Sequence, residues 1–158
     1  MQVYLVQHAE AKREEEDPQR PLTERGWQEI RRVAAFIARA GCVQVARIIH
    51  SGKTRAQQTA EVLAEYLCPS AGVSAAEALE PLAAPQLWAA RLATAQEPVM
   101  LVGHLPHLGR LVALLLCGEE GRQPVTLQMA GVVCLARAES AAWSLQWMII
   151  PALLAEAS

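Results

Sequence analysis

The 158-residue sequence has no surplus of either charge, with 14 basic against 16 acidic residues, and no cluster of Lys and Arg. Nucleic acids and anionic membrane surfaces are held mainly by such clusters, so neither is an expected partner. No C-x-x-C pair is present: Cys42, Cys68, Cys117 and Cys134 are widely and irregularly spaced. That spacing argues against a disulfide frame or a zinc site and predicts buried small hydrophobes in a reducing compartment. Long apolar runs are missing too. The longest aliphatic stretch, Leu111 to Cys117, is far short of a bilayer span, and no basic segment followed by an apolar region opens the chain. The expected location is cytoplasmic.

What is present is a hydrophobic fraction of 53%. A chain of this size buries a sizeable core without disulfides or a structural metal, which predicts one globular domain over residues 1–158. Gln2 to Val6 reads as a strand. After the charged run Lys12-Arg13-Glu14-Glu15-Glu16-Asp17, expected as an exposed loop, Ile30, Val33, Ala34 and Ile37 recur at helical spacing from a start at Thr23, with Gly41 past the end. Arg47 to His50 is a second short strand, followed by Ala56, Thr59, Ala60, Leu63 and Leu67 on one helical face. A helix is expected around Leu87 to Thr94. Val99 to Val102 is an apolar strand, and Pro106 sits where a first helical turn tolerates it, ahead of Leu108, Leu111, Val112 and Leu115. Gly131 to Ala136 and Ser144 to Ile149 read as an antiparallel hairpin. Strands alternating with helices predict an α/β fold, a three-layer α/β/α sandwich whose sheet is mostly parallel with an antiparallel edge.

In open α/β sheets, ligands bind beyond the carboxyl ends of the strands. Three of those junctions carry reactive side chains: Gln7-His8-Ala9, Ser51-Gly52-Lys53-Thr54-Arg55, and Gly103-His104. Two imidazoles and one guanidinium converging on helix N-termini would form an anion trap suited to a phosphoryl group. An imidazole is also a competent nucleophile at neutral pH.

The end of the first strand, P-L-T-x-x-G at Pro21 to Gly26, S-x-x-x-R-A-x-Q-T at Ser51 to Thr59, and Gly103-His104 occur in that order. In this order and spacing the chain resembles the histidine phosphatase (phosphoglycerate mutase-like) superfamily, and its length and G-H-L-P segment are most similar to the SixA-type phosphohistidine phosphatase branch. The resemblance implies a phosphoglycerate mutase-like fold and a phosphatase in which His8 attacks phosphorus and is transiently phosphorylated. Arg55 and His104 would hold the equatorial oxygens, and water would then cleave the phosphohistidine. It implies no metal and no cofactor, in agreement with the lack of a carboxylate-rich metal pattern. The implied partner is a phosphohistidine-containing protein, for some members a histidine phosphotransfer domain of a two-component relay, with phosphate ion as product.

One departure bears on the site. The family usually carries Arg directly before the nucleophilic histidine, and this chain has Gln7. Loss of a charged bidentate contact predicts turnover slower by a factor on the order of 10 to 100 unless compensated. Lys12, Arg13 and Lys53 are the candidate replacements, and the Gln7 amide can still donate. Gly52 stands where the family commonly has Pro, a change in loop stiffness more than in chemistry. Glu80 is the best-placed candidate for proton donor, with Glu77 and solvent as competitors. A phosphohistidine leaving group departs neutral or already protonated, so lack of an acid would favour phosphoramidates over alkyl phosphates.

The remaining polar residues have plainer roles in prospect. His50 is expected to pack or hydrogen-bond locally. His107, three residues after His104, makes a weak H-x-x-H metal pair with Pro106 between. Ser51, Thr54 and Thr23 are candidate helix caps. Trp27, Trp88, Trp143 and Trp147 are expected to pack in the core or at its edge. Two other functions stay open: a phosphatase for small phosphomonoesters, and a weakened site that binds phosphate or a phosphoprotein without fast turnover.

Overall fold

The computed structural model describes residues 1–155. Its sheet has six strands in the order β3-β2-β4-β1-β5-β6. They are β1 (Gln2–Gln7), β2 (Arg47–His50), β3 (Val73–Ala75), β4 (Val99–Gly103), β5 (Val132–Arg137) and β6 (Trp143–Ile149). The four helices are α1 (Glu24–Ala40), α2 (Thr54–Leu67), α3 (Gln86–Thr94) and α4 (His107–Cys117), and a 3-10 turn spans Pro151–Leu154. Strands β3, β2, β4 and β1 are parallel, while β5 runs antiparallel to β1 and β6 antiparallel to β5. This is the mostly parallel α/β/α sandwich with an antiparallel edge that the alternation of periods implied.

Alternation along the central strands explains the layers. Tyr4 and Val6 of β1 face one way, with Met100 and Val102 of β4, against Ile30, Val33 and Ile37 of α1 and Ala60 and Leu63 of α2. Val3, Leu5 and Leu101 face the other way, against Trp88 and Leu92 of α3 and Leu108, Leu111 and Val112 of α4. A strand buried on both faces reads as a continuous apolar run, which is why the buried stretches Val3–Val6 of β1 and Met100–Val102 of β4 carry no polar group beyond the Tyr4 hydroxyl.

The ends of α1 follow local chemistry. Thr23 caps its start, its Oγ1 accepting from the Gly26 amide at 3.0 Å, and Gly41 closes it in the left-handed region at φ 68°. At α2 the outcome differs from the expected capping by Ser51 or Thr54: Lys53 occupies the N-cap without a side-chain cap bond, Thr54 is the first helical residue, and the Ser51 hydroxyl is engaged elsewhere. The cysteines also differ from expectation. Cys134, on central strand β5, is buried, but Cys42, Cys68 and Cys117 are exposed because they stand at or just beyond helix ends, where the chain leaves the core. Strand β3 and the final 3-10 turn were not foreseen; three residues at a sheet edge are too few to show a period. Among the described residues, no helix is long and apolar enough to cross a membrane.

Candidate active site

The carboxyl ends of β1, β2 and β4 lie side by side, because Gln7 pairs with Gly103 and His50 with Val102. The residues that follow them meet there. His8 and His104 have ring centroids 5.0 Å apart, tilted by 52°, and the His8 amide donates to the Gly103 carbonyl at 3.0 Å. His8 and Arg55 are each only 9% exposed and His104 2%.

The His8 tautomer follows from its partner. Its Nδ1 is 2.7 Å from the Ala9 carbonyl oxygen, which can only accept, so Nδ1 carries the proton and Nε2 keeps a free lone pair. Burial lowers the His8 pKa to about 4, with Arg55 and Arg20 adding to the effect against the opposing Ala9 hydrogen bond. At neutral pH the ring is therefore the free base that nucleophilic attack requires.

His104 is also held neutral. Burial, followed by the charges of His8, Arg55 and Lys53, lowers its pKa to about 3. Its Nε2 lies 2.6 Å from the Ser51 hydroxyl, whose oxygen also accepts from the Lys53 amide at 3.4 Å. The Ser51 hydroxyl has one donor and a second lone pair to offer Nε2, so it holds the His104 ring in either tautomer. The ring's Nδ1 is buried without a partner. Ser51 thus orients a site histidine rather than capping a helix.

Arg55 enters from the first turn of α2, where its charge and the helix N-terminus reinforce each other. Its Nε is buried without a hydrogen-bond partner, and burial, followed by Arg20, lowers its pKa. A desolvated guanidinium with an unmet donor favours an anion.

The other motif residues hold this geometry. Thr59 Oγ1 accepts from the Ala9 amide at 3.0 Å and donates to the Arg55 carbonyl at 2.7 Å, tying the residue after His8 to the turn that carries Arg55. Gln58 Oε1 accepts from the Leu22 amide at 2.8 Å and so fixes the P-L-T segment. Gly26 packs under the same connection: a Cβ there would lie 2.2 Å from the Glu10 carbonyl oxygen, so only glycine fits.

The outlying candidates lie in different places. Gln7 lines a neighbouring cleft with Glu10, Arg25, Glu29 and Met129, and its Oε1 is buried without a partner. Lys53 lines a polar cleft with Arg55, whereas the Lys12 side chain is exposed and its carbonyl accepts from Arg20 Nε at 3.1 Å. Arg13 is exposed and paired with Glu16 at 3.8 Å. Glu80 is exposed in the loop before α3, where its charge acts on His107. Glu77 is 3.6 Å from Arg91, and its carbonyl accepts from Trp88. His50 Nδ1 accepts from the Gly52 amide at 3.1 Å, the local bond expected of it. His107 is fully buried with neither ring nitrogen partnered, and among the described residues no three metal-ligating groups cluster. Trp88 is in the core, while Trp27, Trp143 and Trp147 pack half-buried around it.

Sequence reasoning passed over Arg20. Among the described residues it is the only one outside the motif junctions whose charge acts on both His8 and Arg55, and its position in a charged loop gave no periodic or spacing signal.

Comparison with known proteins accords with this geometry. Residues 3–83 match the model of the histidine phosphatase superfamily (branch 1). The phosphohistidine phosphatase SixA of Escherichia coli (strain K12) is 28% identical over 156 residues, covering 96% of this chain and 94% of the relative. A structure of the protein histidine phosphatase SixA complexed with tungstate superposes with a TM-score of 0.84 at 28% identity, covering 98% of this chain and all of that one, 100%. A SixA structure from Agrobacterium tumefaciens shares the fold at TM-score 0.75 and 23% identity, over 95% and 97% of the two chains. The chain belongs to the histidine phosphatase superfamily and is, by class, a phosphatase, a hydrolase of phosphoryl groups.

Proposed function

We propose that this protein is a phosphohistidine phosphatase acting on a phosphorylated histidine of another protein, within the single domain expected from its length. The observation that carries the reading is His8: a neutral imidazole with Nδ1 bound to the Ala9 carbonyl and Nε2 free, beside His104 and Arg55. His8 Nε2 attacks phosphorus, forming a new P–N bond as the substrate's P–N bond breaks, and the substrate imidazole, already protonated on its other ring nitrogen, leaves neutral. Arg55 and His104 bind the phosphoryl oxygens, whose charge spreads in the transition state. Water then attacks phospho-His8, which returns His8 and releases inorganic phosphate.

Substrate class follows from the proton balance. Among the described residues, the hydrogen bonds of the His8, Arg55 and His104 side chains and backbones reach Ala9, Thr59, Ser51, Gly103 and neighbouring amides, and none reaches a carboxylate. With Glu80 exposed beside His107, the site favours a leaving group that needs no delivered proton, as in a phosphoramidate. The likeness to SixA, and the tungstate bound by that protein, support the same choice of a tetrahedral oxyanion on a protein histidine. A phosphorylated histidine phosphotransfer domain is the partner this reading names.

The test is turnover of a phosphohistidine-containing protein beside an aryl phosphate, with wild type and His8→Ala and no added metal. Rapid phosphohistidine hydrolysis lost in the variant is expected. Equal inertness of both proteins on both substrates would overturn catalysis. The second reading, a slow phosphate-binding module, rests on Gln7, which faces the neighbouring cleft and brings no charge. A large rate gain in Gln7→Arg would favour it.

A further inference from the structure

The polar cleft beside Arg55 is lined by Arg20, Gly52, Lys53, Thr54 and Arg55 together with Glu14, Pro18 and Gln19, and has a volume of about 410 Å³. Three cations and one carboxylate therefore share one opening. Among the described residues, none of the three cations has a carboxylate within 4 Å, although six other ion pairs form elsewhere on the surface. Long cationic side chains are usually solvated apart from one another, since like charges repel. Their convergence without counter-charge marks a place where an anion would complete the structure.

Arg20 is held in that opening by its backbone. Its φ is 47°, in the left-handed region that a bulky residue adopts only where surrounding contacts impose it. Those contacts are hydrogen bonds within the loop: its amide donates to the Asp17 carbonyl at 2.9 Å, its Nε donates to the Lys12 carbonyl at 3.1 Å, and the Lys12 amide donates to the Pro21 carbonyl at 2.8 Å. One edge of the guanidinium is thus fixed to the loop while the terminal nitrogens remain free of protein partners among the described residues. Every other residue from Lys12 to Gln19 is exposed or half-buried, and Arg20 itself is half-buried at the site. Its charge reaches both His8 and Arg55.

We propose that Arg20 supplies the positive charge that Gln7 does not, binding the phosphoryl oxygens of the substrate from the side of the β1–α1 loop, opposite the α2 turn. The proposal rests on the reading of the site as one for a phosphoryl group and names a residue that would touch that group. A planar guanidinium donates two parallel bonds, which replaces both the charge and the bidentate geometry lost at position 7.

The experiment is a double-mutant cycle read by calorimetric binding of tungstate and of inorganic phosphate, with turnover measured in parallel. Arg20→Gln should weaken tungstate binding about 10- to 100-fold, as expected for loss of a charge-assisted bidentate contact. Arg20→Lys should keep most of the affinity. In a Gln7→Arg background the same Arg20→Gln change should cost threefold or less, because the charge is then supplied twice. Unchanged tungstate affinity in Arg20→Gln, an equal loss in both backgrounds, or an Arg20→Lys as weak as Arg20→Gln would each overturn the proposal. Should Arg20→Gln melt below the assay temperature, Arg20→Met reads the same loss of charge with the aliphatic stem retained. Arg20-dependent tungstate binding without any phosphohistidine turnover would refute the proposed function and leave this assignment standing. Turnover with an affinity indifferent to Arg20 would do the reverse.

Discussion

The two sides of the site are built differently. On the α2 side, regular structure holds the fixed residues of the S-x-x-x-R-A-x-Q-T segment: Ser51 meets His104, Ala56 lies in the core, Gln58 binds Leu22 and Thr59 binds Ala9, while Arg55 sits on the first helical turn with its Nε unpartnered. On the β1 side, the strand ends in a glutamine with an unmet oxygen, and a mostly exposed loop brings a strained arginine back toward the same histidine. Regular structure positions the first set and a few loop hydrogen bonds position the second. The difference teaches that a loop places a side chain through a few specific hydrogen bonds, whereas a residue on a helix turn is tied to its register.

The largest effect should come from the group shared by both sides. His8→Ala should lower phosphohistidine turnover by a factor on the order of 10³ or more. Melting should change little, since the side chain makes a single local hydrogen bond. Next comes the brace between the two sides. Thr59→Val keeps the shape but leaves the buried Ala9 amide unsatisfied, an expected loss of about 1–3 kcal/mol by urea unfolding. Tungstate affinity should fall with it, because His8 and Arg55 lose their common tie. Gly26→Ala places a methyl group against the Glu10 carbonyl and should cost a similar 1–3 kcal/mol, about what overpacking costs elsewhere. Its effect on the loop side should exceed that on Arg55.

The pH dependence comes next. His8 titrates near about 4 when folded against 6.5 when unfolded, so the unfolded chain takes up the proton first as pH falls. The stability associated with the neutral ring is present in full above about 6.5 and is lost as pH drops through about 4. His104 extends the loss toward about 3. Urea midpoints measured across this range should decline with falling pH, and His8→Asn should flatten part of the slope. The kcat/KM profile should show no acid limb at 6.5, where an unperturbed imidazole would place one. The smallest effect is expected of Lys12→Ala, because only its carbonyl engages Arg20. Turnover should change less than twofold, within the range of an exposed substitution.

Much of the fold was legible. Periods of two and 3.6, Thr23, Gly41 and Pro106 located four helices and five of six strands to within a residue or two, because buried faces repeat in sequence. Strand β3 was hidden, having only three residues, two of them exposed. His8, Arg55 and His104 were legible as candidates since each directly follows a strand or opens a helix. The exposed cysteines were misjudged because composition describes residue types, while burial depends on where a helix ends. Ser51 looked like a cap because a hydroxyl before a helix usually is one. Its histidine partner is 53 residues away.

What the amino-acid order determined by itself was the alternation of strands and helices, the sites where loops open, and the side chains presented at each junction. These depend on neighbours within a turn or a strand pair. Tertiary structure alone decided which ring nitrogen of His8 is free and that both site histidines are neutral. It decided too that Thr59 braces Ala9, and that Arg20 of the β1–α1 loop lines the cleft of Lys53 and Arg55 while Gln7 lines a neighbouring one. Those properties arise from desolvation and from contacts between residues distant in sequence, and they come into being only when β1, β2 and β4 lie side by side.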